Sequence, residues 1–204
     1  MLKPCGSYIV RMAFLKSAKR HISDGVKHLQ ELEYDKALKS FRHAEKKKPE
    51  EPSIMNYISQ AYAGLDDMDK AVEYILKAIT YDPQSAIHRQ LYATYLMKQE
   101  KYQQAIPVID EALDIQPADV IFVLRGQADY NIGNFDSALN YFDKALEMDP
   151  HNPLANHMKG LLLYRMSRYA EAIPHIEKAL SVSEIKSLVK ILEDCKAKVG
   201  KHLD

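Results

Sequence analysis

Histidine is the residue with which this sequence could most directly perform metal or acid–base chemistry, and the chain contains eight. A helix would place His21, Asp24 and His28 on one face. The sequence has no His-Glu-x-x-His segment, and no two histidines stand four residues apart. Because metal sites on helices use such spacings, we interpret these three residues as surface or packing residues. The sequence predicts no metal site and no cofactor.

Motifs for nucleophilic or phosphate chemistry are also missing from the sequence. It contains neither a Gly-x-Ser-x-Gly nucleophile motif nor a glycine-rich phosphate-binding loop. Cys5 and Cys195 stand near opposite ends, without the Cys-x-x-Cys spacing of metal or redox sites. We therefore predict no catalytic residues and no enzyme activity, and we expect a reduced, cytoplasmic protein.

Positive and negative charges balance overall but are distributed unevenly. Residues 1–48 carry 12 Lys/Arg against 5 Asp/Glu, whereas residues 49–184 carry 11 against 20. Without a net basic charge, nucleic acid is not the expected partner. A basic start on an acidic body could instead steer an acidic partner or a second copy of the chain. The apolar stretch 8–15 is interrupted by Arg11 and is too short for a transmembrane segment.

A repeat of 33 or 34 residues runs through most of the sequence. Prolines close helical stretches at Pro49, Pro83, Pro117 and Pro150, which are 34, 34 and 33 residues apart. Small residues recur at three fixed places of the repeat: Gly25, Ser59, Ala93, Gly126 and Gly160; Ala37, Ala71, Ala105, Ala138 and Ala172; and Ala44, Ala78, Ala112, Ala145 and Ala179. Such self-similarity is typical of repeat architectures.

The spacing within each unit predicts two antiparallel helices. Apolar residues recur every three or four positions, which is helical periodicity, and turn-prone residues such as Gly133-Asn134 divide each unit. Small residues at fixed places let the paired helices approach closely. Proline then ends each hairpin, because it cannot donate an amide hydrogen and disfavours helix in the preceding residue.

This pattern resembles the tetratricopeptide repeat family over about residues 18–183. The resemblance implies an all-α fold, a right-handed α–α superhelix that is a solenoid of antiparallel helical hairpins. Five hairpins are expected at residues 18–51, 52–85, 86–118, 119–152 and 153–183. Residues 1–17 would form an apolar, basic helical extension or cap, and residues 184–204 a capping helix with one apolar face.

Two units place charged residues where the family usually has large apolar ones. The fourth unit has Arg125 and Asp129, and the first has Asp24 and His28. Both pairs are four residues apart, the spacing at which opposite charges meet on a helix. We expect Arg125 and Asp129 to touch. Two interpretations stay open for them: a buried polar latch or ligand site, or an intrahelical ion pair at a partly exposed edge.

In the family, the first helices of the hairpins line a concave face that commonly receives a peptide. Projecting that face onto this sequence gives the candidate peptide-binding residues Asn56, Tyr57, Gln60, Gln90, Leu91, Thr94, Val120, Val123, Leu124, Gln127, Leu154, His157, Met158 and Leu161. The projected surface becomes more apolar towards its C-terminal half. Val123, Leu124, Met158 and Leu161 are the expected anchors, because they would be apolar and concave without belonging to the hairpin core.

The resemblance therefore implies a protein–protein interaction module, an adaptor or chaperone-like protein that holds an apolar or amphipathic segment. The lysines, arginine and asparagines with which some family members grip a C-terminal carboxylate are mostly replaced here by apolar or amide residues, so we exclude that mode. The alternative is a self-assembling scaffold of the magnetosome-associated type. In that alternative, the basic N-terminal segment of one copy binds the groove of the next and builds a homo-oligomer.

Overall fold

The computed structural model describes residues 6–183 and 185–200, with side chains from residue 17 onward. This part of the chain folds into eleven helices and contains no strand, as the all-α prediction requires. The helices are α1 (Gly6–Gln30), α2 (Tyr34–Glu45), α3 (Pro52–Gly64), α4 (Met68–Tyr81), α5 (Ala86–Lys98), α6 (Tyr102–Ile115), α7 (Asp119–Asn131), α8 (Phe135–Met148), α9 (Pro153–Arg165), α10 (Tyr169–Leu180) and α11 (Lys186–Gly200).

The helices belong to two compact units, and the boundary between Tyr95 and Leu96 falls inside α5. In the N-terminal unit, α1 pairs with α2 and α3 pairs with α4, while α2 also packs on α3. In the C-terminal unit, α7 pairs with α8 and α9 pairs with α10, α6 packs on α7, and α8 packs on α9. Each helix thus packs mainly against its neighbours in sequence, as expected for stacked helical hairpins.

Small residues stand where the paired helices approach most closely. Ala71 and Ala138, at equivalent places, have no exposed surface. A β-carbon added to Gly126 would lie 2.5 Å from the ring of Phe142 on the other helix of the hairpin, closer than real contacts allow. The packing therefore confirms the register in which the repeat was read.

Every hairpin turn contains one residue with a positive φ angle. These residues are Leu32 (59°), Asp66 (61°), Glu100 (59°), Gly133 (83°) and Ser167 (62°). The following residue donates its amide to a carbonyl five positions back, for example Asn134 N to Asp129 O over 2.8 Å. This 6→1 bond, with a left-handed residue just before it, is the Schellman ending of a helix. Only one of the five turns uses glycine, the residue that adopts this conformation without strain.

The helices at the two ends differ from the helices between them. Helix α1 has 25 residues whereas its partner α2 has 12, so residues 6–17 of α1, here called the overhang, extend past the hairpin. The predicted boundary after residue 17 thus lies within one continuous helix. Helix α11 buries Leu188 and Cys195 against the core that Leu163 and Ile176 help to form. It has the apolar face that a capping helix needs.

Candidate protein-binding surface

Arg125 and Asp129 form a buried ion pair in the C-terminal unit. The Arg125 guanidinium contacts the Asp129 carboxylate, and the two side chains are only 11% and 1% exposed. Arg125 Nε also donates to Asp110 Oδ1 on α6 at 2.8 Å, and Ser137 Oγ on α8 donates to Asp129 Oδ2 at 2.6 Å. The predicted contact is present. Its burial and its bonds to two other helices match the buried polar latch rather than the exposed edge pair.

The electrostatics of this cluster keep Arg125 charged. Burial alone would lower the pKa of Arg125, but hydrogen bonds to Asp129 and Asp110 outweigh burial and raise that pKa. The guanidinium also lies over the ring of Tyr141 at 4.7 Å from its centroid. All polar partners of Arg125 come from this chain, so the cluster joins α6, α7 and α8 and is a structural element of the surface, not a ligand site.

A second ion pair repeats this arrangement one hairpin later, and the sequence analysis missed it. Lys159 on α9 bonds to Asp143 on α8, just as Arg125 on α7 bonds to Asp110 on α6. Each cation directly precedes the small glycine of its first helix, Gly126 or Gly160. A cation before that glycine, with aspartates 33 residues apart at Asp110 and Asp143, was the available signal.

The pairing expected for Asp24 and His28 was wrong. Asp24 approaches Arg20 at 3.9 Å, while His28 Nδ1 lies 2.8 Å from Glu33 Oε2. Because the chain turns back after α1, the turn brings Glu33 to His28, and helical spacing alone could not show this. His28, Glu31 and Glu33 place three potential metal-ligand atoms within 4.8 Å of one another, but Glu33 already bonds Lys36 as well as His28. We keep the prediction of no metal site.

Each unit contains one histidine that is held neutral by burial and bonded to a buried asparagine. In the N-terminal unit, Asn56 Nδ2 lies 2.9 Å from His88 Nδ1. In the C-terminal unit, His175 Nδ1 lies 2.9 Å from Asn156 Oδ1. Burial lowers the pKa of His88, and burial followed by the nearby Lys159 and Lys178 lowers the pKa of His175 to about 4. Neutral imidazoles at both places are hydrogen-bonding partners that position helices.

The candidate peptide-binding residues differ in accessibility. Val120 and Leu154 are exposed; Tyr57, Gln60, Gln90, Leu91, Thr94, Gln127, His157, Met158 and Leu161 are half-buried; and Asn56, Val123 and Leu124 are buried. Asn56 is engaged by His88 and by Gln60. Only part of the projected face is therefore available to a partner.

Val123 and Leu124 are not accessible anchors, which corrects the expectation from the sequence. Val123 is 1% exposed and packs in the core with Ala138 and Phe142, and Leu124 is 9% exposed. Helix α7 contacts α6, α8 and also α9, so three neighbouring helices cover the face that was projected as open. Met158 packs partly against the same core. Among the apolar residues proposed on α7, Val120 alone is exposed.

One end of the C-terminal unit combines exposed apolar side chains with exposed carboxylates. Since successive helices are antiparallel, α6 and α8 end where α7 and α9 begin, and Asn152 Nδ2 bonds Asp119 Oδ2 at 2.7 Å across these starts. The exposed residues there, here called the acidic edge, are Asp114, Val120, Glu147, Met148 and Leu154. Residues 110–149 contain nine Asp/Glu and two Lys/Arg. This edge can offer apolar contact together with negative charge.

Sequence models of the tetratricopeptide repeat match residues 53–85, 89–119 and 123–185, which together are more than half of the chain. The chain belongs to the tetratricopeptide repeat family. Membership supports a protein-interaction scaffold. In the part of the chain with described coordinates, no helix is long and apolar enough to cross a membrane.

Relatives and solved structures agree with this assignment. A TPR repeat-containing protein of Methanocaldococcus jannaschii is 32% identical over 139 residues, covering 67% of this chain and 24% of the relative. Human tetratricopeptide repeat protein 16 is 28% identical over 156 residues, covering 70% of this chain and 18% of the relative. The chain thus spans about a quarter or less of these relatives' lengths.

Two solved structures are similar in fold. PilF of Pseudomonas aeruginosa has a TM-score of 0.80 at 20% identity, covering 94% of this chain and 92% of PilF. MamA of Desulfovibrio magneticus RS-1 has a TM-score of 0.71 at 20% identity, covering 81% of this chain and 94% of MamA. At these identities the likeness establishes the fold alone, and it confirms the solenoid of helical hairpins.

Proposed function

We propose that the C-terminal unit binds an apolar or amphipathic segment of a protein partner, as an adaptor or chaperone-like module. The observation that carries this proposal is the exposure of Val120 and Leu154, 49% and 46%, at the starts of α7 and α9. They occupy equivalent places in two successive hairpins. Exposed apolar side chains grouped on adjacent elements are typical of interaction surfaces.

Neighbouring residues define the kind of segment that would fit. Met158 and Leu161 on α9 are half-buried and would extend the apolar contact beyond Leu154. Gln127 and His157 are half-buried polar residues of the same two helices and supply hydrogen-bonding groups for a peptide backbone. A short amphipathic segment would place its apolar side chains on the first set and its polar groups towards the second.

Holding such a segment needs positions fixed in advance, not a reaction. The Arg125 cluster and the Lys159–Asp143 pair join successive helices of this unit and thereby fix the spacing between α7 and α9. A surface fixed in advance loses less conformational entropy when it binds a partner. The proposal therefore describes a non-enzymatic module without a cofactor, in a cytoplasmic setting where the buried Cys195 thiol stays reduced.

The test uses peptides selected on the protein itself. Random peptides displayed on phage are selected against the chain, and the binders are measured by fluorescence anisotropy against Val120→Asp and Leu154→Asp variants. Since apolar anchors at the centre of an interface typically contribute about 2 kcal/mol or more, we expect Kd to rise at least about 30-fold.

A matched control separates the proposed surface from a general effect of adding charge. Leu76 is similarly exposed (41%) but lies on α4 in the N-terminal unit, so Leu76→Asp should leave Kd unchanged. Circular dichroism should show unchanged helicity for all three variants, because none of the side chains is buried. Equal Kd values for wild type and both C-terminal variants would contradict the proposal.

A further inference from the structure

The overhang of α1 is a helical segment without a partner helix in its own hairpin. Helix α2 is long enough to pair with only about the last 12 residues of α1, so the overhang projects roughly 18 Å further at 1.5 Å per residue. The α1 side chains that pack against the core are Ile22, Val26 and Leu29, all C-terminal to the overhang. A helix of this length requires packing partners to be stable in water.

The composition of the overhang indicates what kind of surface would cover it. Its sequence contains the large apolar residues Tyr8, Ile9, Val10, Met12, Phe14 and Leu15. Its charged residues are Arg11 and Lys16, and residues 1–20 as a whole contain five Lys/Arg and no Asp/Glu. An apolar helix with only positive charges calls for an apolar surface with negative charges.

The acidic edge offers that surface on the same polypeptide. Val120, Met148 and Leu154 there are 46–53% exposed, and Asp114 and Glu147 stand beside them as exposed carboxylates. The overhang and the acidic edge thus match in both apolar character and sign of charge.

We propose that the acidic edge of one copy binds the overhang of a second copy. The proposal names the partner of the proposed binding function and rests on it, because Val120 and Leu154 belong to both surfaces. The two contact surfaces are different, so each bound copy still offers a free overhang and a free acidic edge. Such a head-to-tail contact continues from copy to copy into an open chain unless the rotation closes a ring.

The test exchanges charges between the two surfaces. One variant reverses the overhang (Arg11→Glu, Lys16→Glu) and a second reverses the acidic edge (Asp114→Lys, Glu147→Lys). Mass is measured by light scattering and sedimentation velocity over a range of protein concentrations. The wild type should grow in mass with concentration, and each variant alone should keep the mass of a single chain, because like charges then face each other.

Mixing the two variants gives the sharpest result. In the mixture the edge-reversed chain still has a wild-type overhang and the overhang-reversed chain still has a wild-type acidic edge, so association should return. A chain carrying all four changes should also self-associate. A control with a similar change in net charge away from both surfaces, Glu50→Lys with Glu193→Lys, should behave as the wild type does, since both residues are exposed elsewhere.

Three outcomes would overturn the proposal: a wild type that stays monomeric at all concentrations, a mixture that does not associate, or variants that associate as well as wild type. Vesicles containing phosphatidylserine test another occupant of the overhang. If the wild type stays monomeric and binds these vesicles while the overhang-reversed variant does not, the overhang binds a membrane and the proposal is wrong. Monomeric protein that still binds selected peptides through Val120 and Leu154 would reject the second copy and retain the proposed function.

Discussion

At the scale of single residues, the Arg125–Asp129 pair decides how α7 can be used. A buried ion pair often contributes little net stability, because removing both charges from water costs nearly what their attraction returns. Removing only one partner is different, since the other charge is left buried without compensation. Here Asp129 is 1% exposed and shares its carboxylate with Ser137, so the pair fixes the position of α7 against α8.

A double-mutant cycle measures this coupling. Arg125→Met, Asp129→Asn and the double variant are unfolded with urea, and we expect a coupling energy of about 1–3 kcal/mol because the pair is buried and networked. The Glu73–Lys77 pair, also four residues apart but 57% and 45% exposed, is the matched control and should give about 0.2–0.5 kcal/mol. Equal coupling energies for the two pairs would show that burial adds nothing to the first.

At the scale of the helical hairpin, the turns are similar in geometry but not in sequence. Four of them hold a side-chain-bearing residue at φ near 60°, whereas one holds Gly133. For an ordinary residue the left-handed conformation costs roughly 1–2 kcal/mol. Leu32 is the least suited of the five to this position, and its side chain is 68% exposed, so it gains little from packing in return.

Replacing Leu32 by glycine should therefore stabilise the chain. Relief of the backbone strain exceeds the loss of about 0.5–1 kcal/mol from glycine's greater freedom when unfolded, so we expect a net gain of about 0.5 kcal/mol. Gly133→Ala is the reciprocal change and should destabilise, since an added β-carbon meets no atom within 4 Å and only the φ angle is strained. Urea unfolding measures both; a change of the same sign in the two variants would contradict this reasoning.

At the scale of the whole molecule, both units rely on the same arrangement of a neutral histidine bonded to a buried asparagine. His88 with Asn56 serves the N-terminal unit, and His175 with Asn156 serves the C-terminal unit. A histidine pKa lowered by folding means that the folded state takes up its proton at lower pH than the unfolded state. Both units should therefore lose stability in mild acid, each through its own histidine.

This loss has a defined direction and range of pH. Below the ordinary histidine pKa of 6.5 the unfolded chain gains a proton that folded His175 refuses until about pH 4, so stability falls across that interval. The His175→Gln variant should show a smaller drop in Tm between about pH 7 and about pH 5 than the wild type, and His88→Gln should show the same for its own contribution. His151→Gln, on an exposed histidine, should follow the wild-type curve. A wild type with constant Tm over this range would refute the argument.

Much of the fold follows from the sequence because the repeat imposes the same restrictions five times. Gly126 opposite Phe142 and the contact between Arg125 and Asp129 were predictable from spacing alone. The accessibility of Val123 was not, since it depends on a third helix that packs on α7 as well as on its own hairpin. The partner of His28 was also missed, because Glu33 reaches it through a turn rather than along the helix.

The predominance of contacts between sequence neighbours also has a kinetic consequence. Because helices within each unit pack chiefly on the preceding and following helices, few contacts require distant parts of the chain to meet first. Chains with such low contact order fold in microseconds to milliseconds, since little loop-closure entropy is lost before contacts form. A ribosome adds only about 5–20 residues per second, so α1 and α2 can pair long before α9 has been synthesised. The fold can therefore form in the order in which the chain emerges.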